Sequence, residues 1–338
     1  MLAKRLLLVL FIALFVLAIA IPACHAQAAG KIKVVCTTSV LMDPVTFIGG
    51  DKVEAISIAD PTMCPHLQAD IIPNRIQLNS NFIKGADMFV AYGDNNDNQY
   101  NIPAVNDFMK ANSYGDVTWL KVSNPGRGWN TPANSKLLAA EVKGWLVNKT
   151  PANKDYYEQR YNEYVAKLDA VGPTAAEKAA LNQTEVIVML WQRDPVENWL
   201  TMKVVNFFAP DFAMNGTKTA AKLVDDINAN PDKYRNVKYV IENMQSTELA
   251  KGVEEALKDK GINVKRVIFT NFPGSVPNSA TMADVLTYNK NLVLQAQATP
   301  TAVPTQAATP TPAPTGIVTA AAGMLIGAAF VLCRSRND

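Results

Sequence analysis

The residues best suited to chemistry are few, and they gather near the start of this 338-residue chain. Between residues 31 and 297 there is a single histidine, His66, and two cysteines, Cys36 and Cys64. The remaining histidine and cysteines, Cys24, His25 and Cys333, lie outside that stretch. Zinc usually takes four nitrogen, sulfur or carboxylate ligands, so one imidazole cannot hold it alone. The cysteine pair admits three readings: a disulfide in an oxidising compartment, two buried thiols, or a thiolate site. A disulfide closing a loop of this length contributes roughly 3–4 kcal/mol on the chain-entropy account. No HExxH, GxSxG or CxxC motif occurs, and no histidine is left over for a catalytic triad, so the chain reads as a non-enzyme. The formal charge of +2 comes without a basic tract, which argues against nucleic acid as a partner.

These residues must be positioned by the elements around them. Lys31 to Val35 is a short β-branched run whose far end is Cys36-Thr37-Thr38-Ser39. A strand that ends in small hydroxyl residues and leads into an apolar helix is a βα unit. Strand-like runs recur at Val53–Ile58, Met88–Tyr92 and Val117–Val122, with helical spacing at Gln77–Lys84 and Ser135–Val147. Asn153 to Val171 then reads as one long amphipathic helix with Tyr157, Tyr161, Tyr164, Val165 and Leu168 on one side, a stripe that belongs to a core. The alternation resumes with strands at Val186–Leu190, Val237–Ile241 and Val264–Phe269, and helices at Val196–Phe208, Thr247–Lys258 and Met282–Leu294. Strands alternating with helices predict an α/β fold with parallel sheets. The expected plan is an N-terminal βα lobe over 31–150, a linking backbone helix over 151–180 and a C-terminal βα lobe over 181–297.

The two ends read differently. Lys4 and Arg5 precede an uncharged run from Leu6 to Ile21, followed by Pro22-Ala23-Cys24-His25-Ala26. That is the pattern of a secretory signal peptide over 1–26, cleaved after Ala26. An uncleaved anchor and lipidation at Cys24 are the alternatives. Residues 298–315, rich in Pro, Thr and Ala and free of charge, cannot build a core and read as an extended stalk of up to roughly 55 Å. Residues 316–333 carry no charge and precede Arg334 and Arg336; as a helix of about 27 Å they span a bilayer as a C-terminal transmembrane anchor. The expected location of everything between is outside the cytoplasm, held to the cell membrane. Sequons at Asn148, Asn182 and Asn215 fit an exported surface.

Several short motifs in order carry a resemblance. They are Val34-Val35-Cys36-Thr37-Thr38-Ser39-Val40-Leu41, Ile48-Gly49-Gly50-Asp51-Lys52-Val53, Asp60-Pro61-Thr62-Met63-Cys64-Pro65-His66, Ala86-Asp87-Met88-Phe89-Val90-Ala91-Tyr92-Gly93 and Trp129-Asn130-Thr131-Pro132. Over nearly all of 31–297 the chain resembles the substrate-binding proteins of zinc and manganese ABC transporters. The resemblance implies two lobes joined by a rigid helix with the ligand in the cleft between them. It also implies docking on an ABC permease driven by a cytoplasmic ATPase; a monomer is expected, with a transition metal ion (zinc, manganese or copper) or a metal chelate as the transported ligand.

The family's metal-ligand pattern is broken here. His66 falls where the first ligand histidine is expected, Arg127 stands where the second would be, Trp191-Gln192-Arg193-Asp194 occupies the stretch of the third, and Asn271 aligns with the family's aspartate. An arginine aimed at the site repels a bare cation, because its charge cannot be removed. Two repairs follow from these residues. Cys36 and Cys64 could join His66 in a softer site for copper(I) or zinc. Alternatively Arg127, Arg193, Asn271, Trp129 and Trp191 line a cleft for an anion, a chelated metal or a flat organic molecule, since guanidinium groups clamp carboxylates and indoles offer stacking faces. A cell-surface structural or adhesion protein on the same scaffold is the competing reading.

Overall fold

The computed structural model describes residues 30–246 and 248–298. The expected leader at 1–26, the expected stalk at 298–315 apart from its first residue, and the expected anchor at 316–333 lie outside the described residues. The chain runs β1 (Ile32–Cys36), α1 (Ser39–Gly49), β2 (Val53–Ser57), α2 (Ile71–Leu78), α3 (Ser80–Lys84), β3 (Met88–Ala91), α4 (Ile102–Ala111), β4 (Trp119–Lys121) and α5 (Pro132–Lys149). It crosses through α6 (Lys154–Ala170) and the short α7 (Ala175–Leu181) to β5 (Glu185–Met189), β6 (Lys203–Phe208), α8 (Ala220–Ala229), β7 (Tyr239–Asn243), α9 (Ala250–Asp259), β8 (Lys265–Phe269) and α10 (Met282–Ala298). None of the described helices is long and apolar enough to cross a membrane.

Two parallel four-stranded sheets result, ordered β2-β1-β3-β4 and β6-β5-β7-β8, each the centre of one lobe. The same topology is thus used twice. Interior strands of parallel sheets are covered on both faces and read as continuous apolar runs. Met88–Ala91 is buried at every position, as are the last four residues of Glu185–Met189. The outer strands β2 and β4 are only partly buried, in keeping with their edge positions.

Side chains alternate across each sheet, so two faces need two covers. In β1, Ile32, Val34 and Cys36 face a core that continues through α1, α5, α6 and α10 to Val186 and Val188 of β5. Val35 points the other way, against Ile72, Ile76 and Val105 of α2 and α4. Likewise Ile187 and Met189 pack on α8 and α9. The inner faces of both sheets therefore share one apolar core, which couples the lobes through packing. Tyr157, Tyr164 and Leu168 of α6 are buried in it, with Tyr161 packed against it, as the stripe predicts. Local signals set the helix starts: Thr131 caps α5 with Pro132 at its first position, and Thr174 with Glu177 forms a capping box on α7.

At the end of α1 the chain turns on Gly50, at φ +52, and an added Cβ would collide with the Tyr156 hydroxyl. That hydroxyl accepts the Asp51 N–H at 3.3 Å, which ties the turn to α6.

Three expectations are corrected. The run Val196–Phe208 is not a helix. A wide turn spans Pro195–Trp199, Thr201 adopts φ +60, and Lys203–Phe208 forms β6 against β5. Its Val-Val-Asn-Phe-Phe content fits a pleated surface better than a helix. Gln77–Lys84 is broken at Asn79 into α2 and α3, with the Asn79 side-chain amide donating to the Arg75 carbonyl. Helices α4, α7 and α8 occupy stretches where the sequence reading placed no element.

Candidate functional site

In an open parallel sheet the loops leaving the carboxyl ends of the strands form the ligand crevice, at the point where the strand order reverses. Here that point lies between β1 and β3 in one sheet and between β5 and β7 in the other. A cleft with a volume of about 850 Å³ lies between the lobes. Loops after β2, β3 and β4 supply Cys64, His66, Asp94, Arg127 and Trp129; loops at the ends of β5 to β8 supply Trp191, Phe212, Asn243, Gln245 and Asn271.

The loop that carries His66 is organised by one buried amide. The Gln68 Oε1 accepts the Asp60 N–H at 2.8 Å, while its Nε2 donates to the Asp60 and Met63 carbonyls at 2.8 and 2.7 Å. Pro65 starts a single turn, Pro65–Leu67, that turns the imidazole into the cleft. There the ring packs on Phe212 of the opposite lobe, with centroids 4.3 Å apart, and Phe212 in turn meets Trp191 at 6.2 Å. Burial lowers the His66 pKa, which favours the neutral ring, and its Nδ1 is buried without a partner. Cys64 beside it donates its backbone N–H to the Gln245 carbonyl at 3.1 Å, and burial pushes its thiol up to about 11.

Arg127 lines the cleft but its charge is spent locally. Its Nη2 pairs with Glu141 of α5 at 2.9 Å, and the Tyr92 hydroxyl donates to its carbonyl. Its Nε is buried with no partner. Trp129 crosses between lobes: its indole N–H donates to the Asn271 carbonyl at 2.9 Å, and its ring sits between Tyr92 and Phe272. Asn130 donates to the Trp191 carbonyl at 2.9 Å and Asn134 to Asp194 at 2.9 Å. Gln245 reaches back to the Pro61 carbonyl at 3.1 Å. These bonds stitch the floor of the cleft. Asn271 is held by Gln192 through its side-chain oxygen at 2.9 Å and by Gln245 through its N–H at 3.2 Å.

Of the sequence-derived candidates, the structure brings His66, Cys64, Arg127, Trp129, Trp191 and Asn271 to one cleft. Cys36 is elsewhere. It faces the shared apolar core, fully buried, and burial raises its pKa strongly. Both it and Cys64 are free thiols, so neither the disulfide nor a Cys36-Cys64-His66 metal site forms. Among the described residues no three His, Cys, Asp or Glu side chains gather so as to hold a metal ion. Arg193 is absent from the cleft lining: it pairs with Glu197 at 2.9 Å over the Phe207 ring.

Sequence reasoning missed Asp94, Asn243 and Phe212. Asp94 follows the end of β3 and receives the Asp97 N–H at 2.9 Å; burial, with the neighbouring Asp97 charge, pushes its carboxyl up to about 6. Asp97 itself is structural, accepting from Thr37, Gly93 and Asn101. Asn243 ends β7 with its Oδ1 buried and unpartnered. The signal was available: both residues sit at the carboxyl ends of strands that flank a switch point.

Two parallel α/β lobes facing each other across such a cleft define the solute-binding protein fold. The chain belongs to the family described as zinc-uptake complex component A, periplasmic, which matches residues 34–296. It is 30% identical over 188 residues to the manganese ABC transporter substrate-binding lipoprotein PsaA of Streptococcus anginosus, covering 49% of this chain and 59% of that protein. It is 27% identical over 164 residues to the iron ABC transporter substrate-binding lipoprotein MtsA of Streptococcus pyogenes serotype M1, covering 44% and 51%. The chain thus spans little more than half the length of these relatives. Among solved structures, the Mn-bound periplasmic metal-binding protein from Candidatus Liberibacter asiaticus matches with a TM-score of 0.59 at 14% identity, covering 79% of this chain and 99% of that one. The periplasmic zinc-binding protein TroA from Treponema pallidum matches with a TM-score of 0.57 at 14% identity over 79% and 99%. These likenesses establish the fold.

Proposed function

We propose that this protein is the extracytoplasmic solute-binding component of an ABC importer, carrying a metal ion or a metal chelate. It performs no chemistry; it captures the solute between its lobes and delivers it, as a monomer, to a membrane permease coupled to a cytoplasmic ATPase. The observation that carries this reading is the interlobe cleft, where loops from the ends of both sheets converge on buried polar groups. Membership of the zinc-uptake family supports it. In this reading residues 1–26 are removed on export, residues 316–333 hold the protein to the membrane, and residues 298–315 set its height above the bilayer. His66, Arg127, Trp129, Trp191 and Asn271 contact the solute, with Cys64 beside them.

Cross-linking of the full-length chain in the membranes of the cell that makes it should couple it to permease subunits of an ABC importer. Cells lacking the chain should lose uptake of the solute that copurifies with it. Recovery of no permease, together with unchanged uptake of every copurified solute, would sink this reading and favour a surface protein on the same scaffold.

A further inference from the structure

The cleft collects carboxamides rather than carboxylates. Asn95, Asn96, Gln99 and Asn130 come from one lobe, and Asn215, Asn243, Gln245 and Asn271 from the other. Each carboxamide offers a donor and an acceptor without charge. The single guanidinium, Arg127, is neutralised by Glu141, and of the two carboxylates Asp194 is already engaged by Asn134 and Asn198.

Three buried polar atoms of the cleft residues have no partner in the protein: His66 Nδ1, Arg127 Nε and Asn243 Oδ1. Asn243 is 2% exposed. Buried polar groups are almost always paired, so such a set marks what a ligand must supply. The Arg127 Nε–H is a donor and needs an acceptor. The Asn243 oxygen is an acceptor and needs a donor. A bare cation can be met by the His66 nitrogen and the Asn243 oxygen but leaves the Arg127 N–H unmatched. A simple oxyanion can satisfy the N–H and leaves the Asn243 oxygen unmatched. A molecule that bears both kinds of group satisfies all three atoms.

Size and shape point the same way. A cleft of about 850 Å³ lies within the range of about 300–1,000 Å³ that small organic ligands occupy. Three aromatic side chains gather at one edge of it. Phe212 is 58% exposed at the lip, with Trp191 on one side and His66 on the other. The exposed part of the Phe212 ring offers stacking area to a further planar system.

We infer that the cleft takes an uncharged planar heterocycle, of nucleobase to nucleoside size, with donors and acceptors on its edge. Any metal that travels with it is held by the heterocycle and not by the protein. This rests on the solute-binding reading above and names the chemical class of the solute.

The test uses the full-length chain in detergent, stripped with chelator and dialysed. Isothermal titration is run with Mn²⁺ and Zn²⁺ alone and with adenine, hypoxanthine, adenosine, inosine and lumichrome. At least one heterocycle should bind one-to-one, while neither ion binds at the cleft. Trp191→Leu should weaken that binding about tenfold, which is about 1.4 kcal/mol. Asn243→Leu should weaken it by a similar factor. If Asn243→Leu does not fold, the half-buried Trp191 still decides the matter. One-to-one binding of a bare ion that His66→Ala abolishes overturns this inference and leaves the solute-binding reading intact. Binding of neither ions nor any heterocycle overturns this inference, and the solute-binding reading is then decided by the cross-linking and uptake test.

Discussion

Asp43 offers the sharpest test of how the shared core is held together. It sits on α1, 5% exposed, and joins three elements. The Tyr164 hydroxyl of α6 donates to its Oδ2 at 2.5 Å, and the Met282 N–H at the start of α10 donates to the same oxygen at 2.8 Å. Burial pushes the Asp43 carboxyl up from 3.8 to about 6, against the pull of those two donors. At about 1.4 kcal/mol for each pKa unit, that rise corresponds to about 3 kcal/mol. The folded pKa lies above the unfolded one, so the contribution is fully present below about pH 4 and is lost as pH rises through about 6. Asp43→Asn cannot titrate, and with its amide oxygen in the place of Oδ2 it can accept from both the Met282 N–H and the Tyr164 hydroxyl. We therefore predict that this variant gains about 3 kcal/mol relative to the wild type between pH 4 and pH 8. Tyr164→Phe removes a donor from a charged acceptor and should cost about 1.5–3 kcal/mol at pH 8, and less at pH 4. Urea unfolding followed by tryptophan fluorescence reads both, because all five tryptophans lie between residues 119 and 199. A stability difference between Asp43→Asn and wild type that stays flat across pH would refute the reasoning.

Three further outcomes are expected. Asp94 should titrate near 6 by NMR, and Asp97→Asn should move that midpoint down by removing the neighbouring charge; an Asp94 midpoint in the ordinary carboxylate range in both proteins contradicts the buried-pair account. Cys36 and Cys64 should resist alkylation at pH 8 in the folded protein and label fully after denaturation, whereas a peptide pair linked by a disulfide in an unreduced digest would show the free-thiol assignment to be wrong. Gly50→Ala should lower stability by about 2 kcal/mol or more, since it combines a positive φ with a collision at Tyr156; calorimetry showing an unchanged melting temperature would remove that constraint.

Much of the scaffold was legible because its signals are local. The apolar runs at 34–36, 88–91, 186–189 and 239–241 are continuous because interior strands of parallel sheets are buried on both faces. The tyrosine stripe of α6 declared its buried side through helical spacing alone. The failure at Val196–Phe208 has an equally clear cause. Its apolar residues suit either period over a short window, and only pairing with β5 selects the strand.

The site divides differently. From sequence, His66, Cys64, Arg127, Trp129, Trp191 and Asn271 could be named because they fall in loops that follow strands or at positions aligned with a known family. The same reasoning placed Cys36 and Arg193 there, and both were excluded by direction: β1 turns Cys36 into the shared core, and the turn after β5 sends Arg193 over Phe207. Composition by itself determined that a multi-histidine metal site was out of reach, since a single histidine lies between residues 31 and 297. What the cleft offers instead was decided only by tertiary structure. Hydrogen bonds, burial and charge neutralisation depend on residues far apart in the chain, such as Arg127 with Glu141 and Asn271 with Gln192, and no local pattern records which of them meet.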